Sequence, residues 1–142
     1  MDIEELQNEI ERDFKIDDAL LDIESLKTPQ LHSKYMKHYT KFKLMLTKAE
    51  TDYKQLKRHK WEYYTGKSDA QVYAEKPFDL KILRTDVDKY IESDDELIRG
   101  KQKIEYLSAC VDYLDRTIRQ ISNRTFTIKN AIDWRRFTSG AV

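Results

Sequence analysis

A stretch near the middle of the chain combines the two kinds of side chain that hold single-stranded nucleic acids. Residues 56–70 read LKRHKWEYYTGKSDA, with Trp61 set among basic residues and tyrosines. Cations bind phosphates and flat rings stack on bases, and together they hold a strand without reading its sequence. A helix end with cations near its last carbonyls and rings in the core would have the same composition. The candidate DNA-binding residues are Lys57, Arg58, His59, Lys60, Tyr63, Tyr64 and Lys67.

The spacing of Arg58 and Lys60 restricts how they can bind a strand. Two residues apart, they point about 200° apart around an α-helix. On a regular helix they therefore cannot both face one flat surface. Either the helix loosens at this point, or one cation faces DNA and the other faces a neighbouring part of the protein. Tyr63 and Tyr64 can likewise supply stacking rings or belong to the core.

The formal net charge of the 142-residue chain is zero, but the charges are sorted into blocks. Residues 1–30 contain ten acidic and three basic residues, whereas residues 31–67 contain ten basic and three acidic ones. The basic block could face a polyanion. It could equally pair with the acidic block, in the same chain or in a neighbouring subunit. The sequence leaves both alternatives open.

Residue types and spacing give little support for catalysis. Gly66-Lys67-Ser68 resembles the end of a phosphate-binding loop, but Trp61 occupies the position of that loop's first glycine and no strand precedes it. The three histidines and the single cysteine lack the spacing of metal ligands. Cys110 lies in an apolar helical run and is predicted to be a core residue, which suits a reducing compartment. We therefore predict a protein that is not an enzyme and needs no metal or cofactor.

Composition and apolar periodicity predict a mainly α fold built from long amphipathic helices. Charged residues make up 37% of the chain, which has only three Gly and two Pro. A first helix is predicted over residues 2–14, capped by Asp2. Thr28-Pro29 predicts a break or a new helix start. A regular apolar seam then predicts a helix over residues 31–64.

The second half of the chain predicts another long helix after a less regular segment. Gly66 suits a left-handed turn that ends the first long helix. Residues 67–77 are predicted to be a loop. Residues 78–91 are predicted to be helical or mixed, and an extended piece at 78–84 would also suit their pattern. The predicted features of the second long helix are a capping box at Ser93–Glu96, a break or bend at Asn123 and an end at Ser139-Gly140.

The apolar faces of two long helices exceed what a chain of this size can cover by itself. Long helices with wide apolar stripes usually find partners, so we expect a homo-oligomer. We predict one helical domain over residues 1–142, with the basic motif at 57–67 in an N-terminal part, 1–67, and an oligomerisation region at 93–140. The residues predicted to form contacts between subunits are Leu107, Val111, Leu114, Ile118, Ile121, Phe126, Ile132, Trp134 and Phe137.

Several short pieces of the chain occur in the order and spacing of a known family. They are LQNEI near the start, Ile16-Asp17, Ser33-Lys34, Arg58 with Lys60, Tyr63-Tyr64 followed by Gly66 and Asp69, Arg124-x-Phe126-x-Ile128-Lys129, Phe137 and Gly140. Together they resemble the UvsY family, the recombination mediator proteins of T-even-like bacteriophages, over nearly the whole chain. The resemblance gives Arg58 and Lys60 the basic positions of that family's short DNA-binding motif. Lys57 departs from the motif, which has leucine there, His59 lies between the basic pair and Trp61 follows it. Together these changes add charge and ring area.

The resemblance implies a protein that acts without catalysis, as a ring-like homo-oligomer, a hexamer or heptamer. It implies binding to single-stranded DNA, to the phage recombinase and to the single-strand-binding protein that the recombinase must displace. The expected role is to promote loading of the recombinase onto coated strands in recombination, repair and recombination-dependent replication.

That role places the protein in the host cell cytoplasm. The chain shows no signal peptide, and no apolar run approaches the roughly 20 residues that span a bilayer. The alternative is a helical structural or adaptor oligomer that does not bind DNA. Binding of an oligothymidine would separate the two.

Overall fold

Two helices of 44 residues each dominate the computed structural model, which describes residues 1–140. The helices are α1 (Ile3–Phe14), α2 (Leu21–Tyr64), α3 (Ala70–Glu75), α4 (Val87–Glu92) and α5 (Asp95–Thr138), with a 3₁₀ turn at Arg84–Asp86. No strand occurs in residues 1–140, and the prediction of a mainly α fold is confirmed. None of the described helices combines the length and the apolar character that a bilayer crossing needs.

The first helix begins where the sequence predicts, because Asp2 caps it. The Asp2 carboxylate accepts a hydrogen bond from the Glu5 amide at 2.8 Å, and the Glu5 carboxylate accepts one from the Asp2 amide at 3.0 Å. This reciprocal pair satisfies two amides that would otherwise lack a helical acceptor. Leu6 and Ile10, one helical turn apart, are the buried residues of α1.

The predicted break at Thr28-Pro29 is wrong, since α2 passes through it without interruption. A proline inside a helix removes a backbone donor and costs about 3 kcal/mol. The same turn is held by Arg124, which donates to the Glu24 carbonyl at 2.5 Å and to the Thr28 hydroxyl at 2.8 Å. This long-range contact fixes the turn before Pro29, and the local sequence does not reveal it.

The start of α5 also differs from the predicted capping box. Asp94 caps the helix, because its carboxylate accepts from the Leu97 amide at 3.1 Å. The Ser93 hydroxyl instead donates to the Lys89 carbonyl at 2.7 Å, at the end of α4. An aspartate is as good a cap as a serine, so the start moves by one residue. The predicted break at Asn123 is wrong as well, because α5 continues to Thr138.

The segment between the two long helices contains more helix than the sequence predicts. Gly66 has the left-handed conformation expected of it, with φ of 77°. Residues 70–75 form α3 instead of part of a loop, and the extended piece considered for 78–84 is not a strand. Helices of one or two turns are too short to show a clear apolar period.

Internal packing divides the chain into two units, and each long helix contributes to both. The first unit is Met1–Phe42 with the part of Ala109–Val142 that the structure describes, and the second is Lys43–Ser108. Buried residues of the first unit include Leu6, Tyr35, Cys110, Leu114 and Ile121. The second unit has a core of Val87, Ile91 and Leu97, covered by Tyr53, Leu56, Tyr64 and Ile82.

Packing within the chain uses part of the surface that the sequence assigns to contacts between subunits. Leu107, Val111, Leu114 and Ile121 are buried in the single chain, with at most 6% of each residue exposed. Ile118 and Ile132 are half-buried. The exposed members of the set are Phe126, Trp134 and Phe137. Trp134 and Phe137 stack on each other, with their ring centroids 5.8 Å apart.

Candidate nucleic-acid interface

The basic and aromatic segment lies at the end of α2, within the second unit. The helix stays regular to Tyr64, so Arg58 and Lys60 point in different directions. Lys57, Arg58 and His59 are exposed, whereas only 16% of the Lys60 side chain is exposed. Of the two arrangements that the spacing allows, the structure has the second, in which one of the two cations faces a neighbouring element.

Arg58 is the more accessible of the two motif cations. Its side chain is 70% exposed, and its Nε lies 3.6 Å from a carboxylate oxygen of Glu62, one turn along the helix. A surface pair of this kind is worth about 0–1 kcal/mol and is screened by salt. The guanidinium can therefore exchange Glu62 for a phosphate at little cost.

Lys60 belongs to a half-buried network that joins α2 to the start of α5. Its ammonium lies 3.3 Å from Asp94 and 3.1 Å from Glu96. Burial by itself lowers the pKa of Lys60, but the hydrogen bonds and charges of the two carboxylates outweigh it and hold that pKa above its usual value. Lys60 therefore carries a charge that is already neutralised inside the protein.

Asp94 is the centre of that network and also the cap of α5. It accepts hydrogen bonds from the Tyr64 hydroxyl at 2.6 Å and from the Leu97 amide at 3.1 Å. Burial raises the pKa of Asp94, yet hydrogen bonds from Tyr64, Leu97 and Lys60 together lower it below its ordinary value. Burial and the hydrogen bond to Asp94 raise the pKa of Tyr64. The network fixes the end of α2 against the start of α5.

Tyr63 and Tyr64 form part of a cluster of aromatic rings. Tyr63 stacks on Tyr73 with centroids 5.5 Å apart, and Phe78 lies 5.4 Å from Tyr63 and 5.2 Å from Tyr64. Tyr90 lies 5.5 Å from Tyr64. The Tyr63 hydroxyl donates to the Lys76 carbonyl at 3.0 Å. These rings pack against protein, which favours the core interpretation of the two tyrosines.

Trp61 and Lys67 are placed differently from the tyrosine pair. Trp61 is 38% exposed, and the Lys67 ammonium lies over its ring, 4.5 Å from the centroid. Both residues line a groove of about 610 Å³, which we call the Trp61 groove. Two further cations, Lys81 and Arg84, line the same groove. They lie in the sequence run FDLKILR at 78–84, where charged residues of both signs lie among apolar ones, and the sequence prediction did not include them.

The predicted DNA-binding residues therefore fall into three groups. Lys57, Arg58 and His59 are exposed on α2; Lys67 lies at the Trp61 groove; Lys60, Tyr63 and Tyr64 are engaged in contacts within the second unit. Within residues 1–140, no group of three or more His, Cys, Asp or Glu side chains is arranged to hold a metal ion. The arrangement offers positive charge and aromatic ring surface.

Known proteins resemble this chain over nearly its whole length. The family model described as recombination, repair and single-stranded-DNA-binding protein UvsY matches residues 9–141. Recombination protein uvsY of Enterobacteria phage T4 is 24% identical over 140 residues, which cover 99% of each chain. Two crystal structures of the bacteriophage T4 recombination mediator protein UvsY share the fold at 22% identity. Lattice type II gives a TM-score of 0.84 over 98% of both chains, and lattice type IV gives 0.82 over 97% of this chain and 99% of the other.

Proposed function

The chain belongs to the UvsY family of recombination, repair and single-stranded-DNA-binding proteins, and on that premise we propose that it is a recombination mediator. In this proposal it binds single-stranded DNA and promotes loading of the phage recombinase onto strands coated by the single-strand-binding protein. It acts in the infected cell and catalyses no reaction. The observation that carries the proposal is the exposure of Lys57, Arg58 and His59 at the end of α2, where Arg58 has only an exposed carboxylate to exchange for a phosphate.

Assembly is the second part of the proposal. Phe126, Trp134 and Phe137 are large apolar side chains in the C-terminal third of α5, and they are 64–75% exposed. Covering such side chains in an oligomer would remove apolar surface from water. We propose a ring of six or seven subunits, as the family resemblance implies. A ring presents its DNA-binding cations many times, so weak individual sites combine into strong binding.

Loading of a recombinase requires a preference between two states of the strand. A protein shifts an equilibrium only by its differential affinity for the two states. We propose that the oligomer binds the strand more tightly in a shape that suits the recombinase than in the shape imposed by the coat protein. The binding free energy for this preference comes from contacts with several stretches of one strand at once.

Salt-dependent binding of a fluorescent oligothymidine tests the DNA-binding step. Arg58→Ala should lower the salt slope by about 0.7 for each phosphate that the variant no longer neutralises, and it should leave stability nearly unchanged because the Glu62 pair is exposed. Lys60→Ala should instead lower stability, because it leaves the buried Asp94 carboxylate short of a partner. Lys103→Ala, an exposed lysine on α5, is the matched control.

Light scattering must accompany the titration, because a variant that fails to assemble would lose avidity for another reason. If intact Arg58→Ala binds with the affinity and salt slope of the wild type, Arg58 does not touch DNA. If the wild type does not bind oligothymidine at all, the mediator proposal fails.

A second candidate function has one observation in its favour. Lys34, in the basic block, lies 2.7 Å from Glu9 and 2.5 Å from Asp13, both in the acidic first block. The His38 ring also lies 3.2 Å from Glu9. Part of the basic block is thus neutralised within the chain, as a structural or adaptor oligomer without DNA binding would require. Absence of binding to oligothymidine at low salt, with the oligomer intact, would favour this candidate.

A further inference from the structure

The Trp61 groove has an apolar floor and a cationic rim. Tyr64, Phe78, Ile82 and Val87 are among the residues that line it, and they also pack with the core and ring cluster of the second unit. The groove lies between the end of α2 and the segment that leads into α4. Its volume of about 610 Å³ is within the range of sites that hold small ligands.

The cations that line this groove differ from Arg58 and Lys60 in their ion pairing. Among residues 1–140, Lys67, Lys81 and Arg84 form no ion pair within 4.0 Å, whereas Arg58 pairs with Glu62 and Lys60 with Asp94. Two carboxylates, Asp79 and Asp88, also line the groove and leave it with an excess of one positive charge. Unpaired cations at the edge of an apolar groove suit a ligand that is flat and apolar at one end and anionic at the other.

Trp61 provides the ring surface that the tyrosine pair does not. The rings of Tyr63 and Tyr64 contact Tyr73, Phe78 and Tyr90. The indole of Trp61 instead lies beneath the ammonium of Lys67, and lysine side chains have many accessible rotamers. A nucleobase could therefore replace the Lys67 ammonium over the ring, while that ammonium moves to the adjoining phosphate.

We propose that the Trp61 groove is a subsite for one or two nucleotides of single-stranded DNA. A base stacks on Trp61 above the apolar floor, and the flanking phosphates bind Lys67, Lys81 and Arg84. This inference rests on the proposed function and adds a second contact surface to the cations on α2. It assigns DNA binding to residues 81 and 84, which lie in a part of the chain with more acidic than basic residues.

Tryptophan fluorescence gives a direct readout, because the chain has two tryptophans and only Trp61 lies in the groove. Titration with a short oligothymidine, on the order of eight nucleotides to limit multivalent contact, should quench the wild type. The variant Trp61→Phe keeps a stacking ring and should bind with nearly unchanged affinity, but the quenching component should disappear. Any signal that remains in that variant belongs to Trp134.

Affinity measurements on two further variants complete the test. Trp61→Ala should bind roughly 5- to 150-fold more weakly for each base that loses its stacking partner. The double variant Lys81→Ala with Arg84→Ala should lower the salt slope by about 1.4, at about 0.7 per phosphate. Lys103→Ala should leave both affinity and slope unchanged. Circular dichroism and light scattering verify that each variant is folded and assembled.

The outcomes separate this inference from the proposed function. If the wild type binds oligothymidine without quenching, and both Trp61→Ala and the double variant Lys81→Ala with Arg84→Ala bind as the wild type does, the subsite is refuted while DNA binding stands. If the groove variants bind DNA normally but fail to bind the recombinase, the groove holds a protein segment and the inference is overturned. If the wild type does not bind oligothymidine, the proposed function fails and this inference fails with it.

Discussion

A buried ion pair between Arg124 and Glu24 offers the sharpest test of how the first unit is held together. The exposed fractions of the two side chains are 3% and 4%, and Arg124 Nη2 lies 2.6 Å from Glu24 Oε2. The guanidinium also donates to the Glu24 carbonyl and to the Thr28 hydroxyl. Lys27 lies 2.8 Å from the other Glu24 oxygen, and half of its side chain is exposed.

The substitution Arg124→Met should lower the free energy of unfolding by about 3 kcal/mol. Breaking a buried pair by removing one partner costs about 3–5 kcal/mol, because the remaining charge stays in a poor solvent. We expect the lower end of that range, since Lys27 still pairs with Glu24. The Thr28 hydroxyl and the Glu24 carbonyl also lose a donor, in the turn that contains Pro29.

The pH dependence of this loss follows from the pKa of Glu24. The Lys27 hydrogen bond, followed by the charges of Lys27 and Arg124, lowers that pKa below its ordinary value of 4.5 despite the opposing effect of burial. A carboxylate with a lowered pKa contributes stability above its unfolded pKa and loses it as the pH falls through the folded one. The difference in the free energy of unfolding between wild type and Arg124→Met should therefore be at its maximum at pH 7 and decrease below about pH 4.5.

Urea unfolding followed by circular dichroism measures the effect, at one fixed protein concentration because the proposed association of subunits would contribute to stability. The matched control is the double variant Arg124→Met with Glu24→Met, which removes both charges and should recover most of the stability. A loss below about 1 kcal/mol in the single variant would refute the reasoning. So would a double variant that is no more stable than the single one.

Three smaller predictions concern the ends of helices. Asp2→Ala should lower the unfolding free energy by about 1 kcal/mol, because α1 loses its capping box, and urea unfolding checks it. Gly66→Ala should cost about 1–2 kcal/mol, measured as a lower Tm, because φ of 77° strains any residue with a Cβ. Asp94→Ala should cost about 1–3 kcal/mol, since Tyr64 and Lys60 lose an acceptor. In the wild type this last contribution should fade below about pH 3.8, because the pKa of Asp94 is lowered, and unfolding at several pH values measures it.

The sequence predicts those parts of the fold that are set by local contacts. The cap at Asp2, the turn at Gly66 and the end of α5 depend on residues within one helical turn, and all three are found as predicted. Pro29 is read wrongly because α2 continues through it, and the contacts that Arg124 makes with the turn before it come from a residue remote in sequence. The short helix α3 is missed because six residues carry too little periodicity.

For the candidate site, composition singles out the segment at 57–67 but does not say which of its charges are available. Lys60 counts as a DNA-binding cation in the sequence, yet Asp94 and Glu96 neutralise it from more than thirty residues downstream. Lys81 and Arg84 show the opposite case, because their acidic neighbours in sequence do not pair with them in residues 1–140. The charge of a segment is thus a poor measure of the charge it can present to a phosphate.

Paired and unpaired cations can therefore have different roles in this part of the chain. A strand that bound Lys60 would have to displace two carboxylates and leave Asp94 buried without its cation, which costs more than one phosphate contact returns. Binding at Arg58 displaces one exposed carboxylate, and binding at Lys67, Lys81 or Arg84 displaces none in the part of the chain that the structure describes. Lys60 is therefore suited to hold α2 against α5, so that the cations free to bind DNA stay in place.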